Sequence, residues 1–123
     1  MVSENKNKTI LAVDDMPLFL KNLRAMLQDL PYKTICVTSA KDALRFLENH
    51  KPDLFILDIE MPDLNGYQLA EKIISSGQKA PIIFMTGNSS PEDMEKALNI
   101  GVSDFIIKTM NKEYIIEKIN KYI

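Results

Sequence analysis

Residues 53–66 read Asp53-Leu54-Phe55-Ile56-Leu57-Asp58-Ile59-Glu60-Met61-Pro62-Asp63-Leu64-Asn65-Gly66. Leu54 to Leu57 form an apolar run with no polar alternation. A strand with one wet face would alternate. An unbroken run of this length suits a strand covered on both faces, as in a parallel sheet between helices. The run then meets an acid and a cluster of turn residues, Pro62, Asp63, Asn65 and Gly66. Similar blocks stand at Ile10-Leu11-Ala12-Val13 and Ile82-Ile83-Phe84-Met85. Strands are therefore predicted over 9–13, 33–37, 53–57, 81–85 and 104–107.

The intervening segments carry apolar residues at helical spacing. Phe19, Leu23, Met26, Leu27 and Leu30 mark one face; Ala40, Ala43, Leu44 and Leu47 a second; Ala70, Ile73 and Ile74 a third. Met94, Ala97 and Leu98 mark the fourth, and Ile115, Ile116, Ile119 and Ile123 the last. Ser90-Pro91-Glu92-Asp93 offers an N-cap serine, a proline at the first helical position and an acid at the third. Ser39 repeats the capping logic, and Gly77 and Gly101 stand where helices should stop. The alternation predicts an α/β fold, a (βα)5 doubly wound parallel sheet of five strands with right-handed crossovers and helices on both faces.

The 123 residues suit one domain, and 46% apolar with 26% charged residues is a globular composition. Fifteen basic against seventeen acidic residues leave a net charge of -2, without the basic stripe that direct nucleic-acid binding would need. No apolar run approaches the ~20 residues of a membrane helix, and the polar start, Ser3 to Lys8, leads into no signal-peptide core. A single cysteine, Cys36, fits a reducing, cytoplasmic setting, and with one histidine the chain lacks the usual zinc ligands. The expected organisation is a polar tail over 1–8 and one domain over 9–123, ending with the fifth helix and containing no output domain.

Ligands of open α/β sheets bind beyond the carboxyl ends of the strands. There the first strand delivers Asp14 and Asp15, the third Asp58, the fourth Thr86 and the fifth Lys108. Crowded carboxylates repel: at an effective dielectric of ~20, two charges ~4 Å apart cost about 4 kcal/mol. A hard divalent cation removes that cost, and Mg2+ takes one or two carboxylates, waters and phosphate oxygens. The set reads as a magnesium site beside a carboxylate able to form an acyl phosphate, Asp58. Lys108 and Thr86 would hold phosphoryl oxygens by charge and by a hydroxyl hydrogen bond. Each residue also has an ordinary reading. Asp14 and Asp15 could cap a helix, Asp58 could serve a turn, Thr86 a loop and Lys108 the solvent, and Phe105 could be plain core. A solvated face is expected over Lys112, Glu113, Glu117, Lys118 and Lys121, and neither His50 nor Cys36 is given a role.

The acidic pair after Val13, the stretch Asp58 to Gly66, Met85-Thr86-Gly87 and Gly101 to Lys108 together resemble the receiver domain of response regulators in two-component signalling, of the chemotaxis-regulator type. The resemblance covers nearly the whole chain after its polar start. It implies strand order 2-1-3-4-5 and a phosphorelay switch in which Asp58 accepts a phosphoryl group from a sensor histidine kinase or phosphotransfer protein. It further implies Mg2+ held by Asp15, by Asp14 mainly through water, by Asp58 and by the Glu60 carbonyl. Thr86 and Lys108 would contact the phosphoryl group. Thr86 and Phe105 would form the switch, Phe105 turning inward and changing the face of the fourth helix, fifth strand and fifth helix for a downstream protein, an output domain or a second copy. Glu60 and Asn88 would tune loss of the phosphoryl group. Such a domain catalyses only its own phosphorylation and dephosphorylation.

One position departs from the pattern. Thr109 follows Lys108 where the family usually has proline after a cis bond, and a cis bond without proline costs ~3–4 kcal/mol. That departure keeps open a pseudo-receiver, an interaction module that is not phosphorylated. An aspartate-based phosphohydrolase would be expected to carry Asp-x-Asp after its first strand, not the adjacent Asp14-Asp15. A nucleotide or flavin binder would carry a glycine-rich phosphate loop, which is missing.

Overall fold

The computed structural model describes residues 8–87, 90–108 and 111–123. Five strands alternate with five helices: β1 (Thr9–Val13), α1 (Pro17–Leu27), β2 (Lys33–Val37), α2 (Ala40–Phe46), β3 (Leu54–Asp58), α3 (Gly66–Ser75), β4 (Ile82–Thr86), α4 (Pro91–Ile100), β5 (Asp104–Ile107) and α5 (Lys112–Tyr122). All four strand pairings are parallel, in the order β2-β1-β3-β4-β5. β3 runs through the centre, with Ile56 between Ala12 and Ile83. The fold is the doubly wound α/β sheet expected.

The apolar blocks are buried on both faces because helices cover both. α1 and α5 place Leu20, Leu23, Leu27, Ile115 and Ile119 against Ile10, Ala12, Ile56, Ile83 and Ile106. On the other side, α2, α3 and α4 place Ala40, Ala43, Leu69, Ala70, Ile73 and Ala97 against Leu11, Val13, Phe55, Leu57 and Phe84. Successive strand residues thus feed opposite cores.

Several local expectations shift. β3 and β4 each begin and end one residue later than predicted, so Asp58 and Thr86 are the last residues of their strands. A polar side chain at a strand end leaves its backbone free to pair, and Asp58 faces Met85 while Thr86 faces Ile107. Ser39 and Ser90 cap α2 and α4 as expected, accepting from the backbone N–H of Asp42 and Asp93. Gly101 ends α4 with φ 113°, a left-handed turn that favours glycine. α3 starts from a capping box missed in the sequence: Asn65 accepts from the Gln68 N–H, and the Gln68 side chain accepts from the Asn65 N–H.

The largest correction concerns α4. Of its predicted apolar face, one residue alone enters the core. Only Ala97 is buried, while Met94 is 42% and Leu98 59% exposed. On that side of β5, the short edge strand, Phe105 is the buried residue and Ile107 is exposed. The sheet ends before it can cover the helix. Ile74 of α3 is likewise exposed, while Tyr67, Leu69, Ala70 and Ile73 of the same helix are buried. Lys118, expected in solvent, instead forms an ion pair with Asp104 at 3.0 Å.

Candidate functional site

The carboxyl ends of β1, β3, β4 and β5 bring the predicted residues together. Asp14 is 2% and Asp58 6% exposed, and Thr86 is buried beside them. Asp15 lies on the surface, yet one oxygen from each of Asp14, Asp15 and Asp58 falls within 4.8 Å of the others. Asp15, Asp58, Glu60, Thr86 and Lys108 line one open cleft of about 970 Å3. Asp14 is not a helix cap. The N-cap of α1 is Met16, without a side-chain bond, and Asp14 Oδ1 accepts from the Met16 N–H at 2.9 Å. That bond fixes the carboxylate and leaves the buried Oδ2 to face Lys108.

Lys108 spans the acids. Its Nζ is 2.7 Å from Asp14 Oδ2 and 3.3 Å from Asp58 Oδ1. Its backbone N–H donates to the Thr86 carbonyl at 2.6 Å, which ties the end of β5 to the end of β4. Thr109 and Asn88 lie outside the described residues, so the departure after Lys108 has no structural account; the lysine itself reaches both carboxylates. Phe105 is buried at 6% exposure, edge-on to Phe84 with centroids 5.9 Å apart.

The loop after Asp58 is packed tightly. The Gly66 N–H donates to the Ile59 carbonyl at 2.7 Å, and a Cβ on Gly66 would meet the Asp58 carbonyl and come 2.8 Å from Ile59 Cα. Only glycine permits this approach. Farther along the loop, Asp63 accepts from the Lys41 N–H of α2 at 3.2 Å. Two cleft residues carried no signal in the sequence. Tyr67 draws no reading there, and Asp93 reads only as part of a cap; both line the cleft.

One ammonium does not neutralise this cluster. Burial, then the charge on Asp14, raises the Asp58 pKa from 3.8 to about 6, with Asp15 adding to the rise and Lys108 opposing it. Burial works against the charge on Lys108, but Asp14 and Asp58 outweigh it and hold its pKa above the usual value. A site with excess carboxylate, all hard oxygen donors, and an open cleft fits a divalent cation such as Mg2+. The same cleft can admit a phosphoryl group beside Asp58.

The sequence model of the response regulator receiver domain matches residues 10–120. The chain belongs to that family. Among receiver-containing relatives, the Regulator of RpoS from Escherichia coli strain K12 is 36% identical over 101 residues, 82% of this chain and 30% of that protein. The sensor histidine kinase RcsC of the same strain is 30% identical over 98% of this chain and 13% of its own length. The receiver here thus spans less than a third of either relative. The solved response regulator TrrA from Thermotoga maritima, in complex with Mg2+ and beryllium fluoride, is 30% identical with a TM-score of 0.85, covering 94% of this chain and 99% of that one. Among the described residues, no helix is long and apolar enough to cross a membrane.

Proposed function

We propose that this receiver is a phosphorelay switch over residues 9–123, with Asp58 as the phosphoacceptor. The observation that carries the reading is the convergence of Asp14, Asp15 and Lys108 on a buried Asp58 at the end of the central strand. The donor is a phosphohistidine on a sensor histidine kinase or phosphotransfer protein. An Asp58 oxygen attacks phosphorus, the phosphorus–nitrogen bond breaks, and the imidazole leaves with the bonding pair and takes up a proton. Asp58 must be ionised to attack, and with a pKa of about 6 it is mostly so at neutral pH. Lys108 holds the phosphoryl oxygens by charge, and the Thr86 hydroxyl donates to one of them.

Asp14, Asp15, Asp58 and the Glu60 carbonyl would hold Mg2+, which supplies positive charge against the carboxylates and the phosphoryl oxygens. Thr86 and Phe105 form the switch, with the inward, buried Phe105 as the position that phosphorylation favours. Met94 and Leu98 of α4 and Ile107 of β5 leave apolar surface exposed. They lie on the face through which a downstream protein, an output domain or a second copy would read the state. The setting proposed is cytoplasmic.

The test is intact mass after incubation with Mg2+ and a small acyl-phosphate donor. One phosphoryl adduct is expected, absent from Asp58→Asn and from metal-free protein. A folded protein that takes no adduct, beside a labelled control receiver, would contradict self-phosphorylation from small donors. An adduct on Asp58→Asn would contradict the choice of acceptor.

A further inference from the structure

Lys108 is the one cationic side chain among the residues that line the cleft, against the acids Asp15, Asp58, Glu60 and Asp93. Thr109 follows it in the chain, so the backbone of Lys108 lacks the restriction that a following proline imposes. Its N–H is tied to the Thr86 carbonyl, but a flexible four-carbon stem lies between that anchor and the ammonium. Where the charge rests is therefore decided by what the end of the side chain meets. It meets two carboxylates, Asp14 Oδ2 at 2.7 Å and Asp58 Oδ1 at 3.3 Å. It also meets a ring: Nζ lies 4.7 Å from the centroid of Phe19 on α1.

The ring is well founded. Phe19 is half-buried in the first turn of α1 and packs against the core beneath that helix. Asp14 registers ring and lysine on one carboxylate: Oδ1 accepts from the Met16 N–H at the start of α1, and Oδ2 faces the ammonium. A cation within ~6 Å of an aromatic face is attracted by the ring quadrupole, more strongly where water is partly excluded. The Lys108 side chain is 20% exposed, which meets that condition. A third carboxylate in the place of Phe19 would add to the excess of negative charge and compete with phosphoryl oxygens for the ammonium. The ring adds neither charge nor a strong acceptor.

We infer that Phe19 is a positioning residue of the phosphorylation site: its ring seats the Lys108 ammonium beside Asp58, where it meets the phosphoryl oxygens once Asp58 carries them. The inference deepens the reading of Asp58 as phosphoacceptor and rests on it. Leucine at position 19 would fill the place without seating the charge, whereas tyrosine would do both.

The test pairs two measurements on wild type, Phe19→Leu and Phe19→Tyr, each checked for cooperative thermal unfolding. The first is the proton magnetic resonance of the Lys108 ε-methylene group without ligand. Ring shielding should place it upfield of the other lysines in wild type and Phe19→Tyr, and the shift should vanish in Phe19→Leu. A merely structural phenylalanine would leave no such mark on the lysine. The second is calorimetric binding of beryllium fluoride, a stand-in for the phosphoryl group, in saturating Mg2+. Phe19→Leu should weaken it about fivefold, the scale of a partly desolvated cation–π contact, and Phe19→Tyr should stay within twofold of wild type. No kinase is present in either measurement, so a role of Phe19 in docking a donor protein would move neither. An unshifted Lys108 in wild type would overturn the seat without recourse to any variant. So would Phe19→Leu binding within twofold of wild type, or a loss that Phe19→Tyr shares. Wild type with a shifted Lys108 that binds no beryllium fluoride would overturn the phosphoacceptor reading and, with it, the aiming role, so the two failures are distinct.

Discussion

Helices α3 and α4 are each ten residues long, each begin at a side-chain cap, and pack on the same face of the sheet. Their anchoring differs sharply. α3 buries Gly66, Tyr67, Leu69, Ala70 and Ile73, and its first residue is wedged against the backbone of Asp58. α4 buries Ala97 alone and leaves Met94 and Leu98 in solvent. One helix is a wall against the loop after Asp58; the other is weakly packed. Elements that move are drawn from the weakly packed end of a structure.

The largest expected effect is on the wall. Ile73→Ala, with a fully buried side chain, should cost about 3 kcal/mol in denaturant unfolding. A loss under ~1 kcal/mol would erase the contrast between the helices. Gly66→Ala should cost about 2 kcal/mol, although alanine favours helix by ~1 kcal/mol, because the new Cβ collides with the loop after Asp58. A stabilised Gly66→Ala protein would show that the wall is not pressed against the backbone of Asp58 and Ile59.

A smaller effect follows from the charge of Asp58. Its folded pKa, about 6, lies above the 3.8 of the free group, so the folded state binds its proton more tightly. Stability from this group is fully present below pH ~4 and is lost as pH rises through about 6. Without Mg2+, Asp58→Asn should therefore melt a few degrees above wild type at pH 7, with the gap closing toward pH 4. Added Mg2+ should narrow the gap at pH 7 by stabilising wild type. A gap that widens on acidification would reverse the sign and refute the crowding of the carboxylates. Smallest of all, Leu98→Ala on α4 should shift unfolding by less than ~0.5 kcal/mol, and a larger loss would mean the helix is anchored after all.

The contrast between the helices also marks what the sequence made legible. The apolar runs Leu54 to Leu57 and Ile82 to Met85 disclosed strands buried on both faces, because a sheet with one wet face does not tolerate such runs. Asp14, Asp15, Asp58, Thr86 and Lys108 were legible because strand ends in a parallel sheet share one edge. The anchoring of α4 was hidden. Periodicity in Met94, Ala97 and Leu98 says that they share a face, not that a sheet extends far enough to cover it. Tyr67 was hidden because its ring belongs to the core, edge-on to Phe84, while its position also places it at the cleft. Asp93 looked complete as a residue in the first turn of a capped helix.

Amide hydrogen exchange, read by peptide mass spectrometry with and without Mg2+ and an acyl-phosphate donor, tests the central claim most directly. The same samples report the adduct on the peptide that contains Asp58. The account predicts that phosphorylation slows exchange across the first turns of α4 and leaves the amides of α3 from Leu69 to Ile73 unchanged. An adduct on Asp58 with no change in α4, or with an equal change in α3, would contradict it.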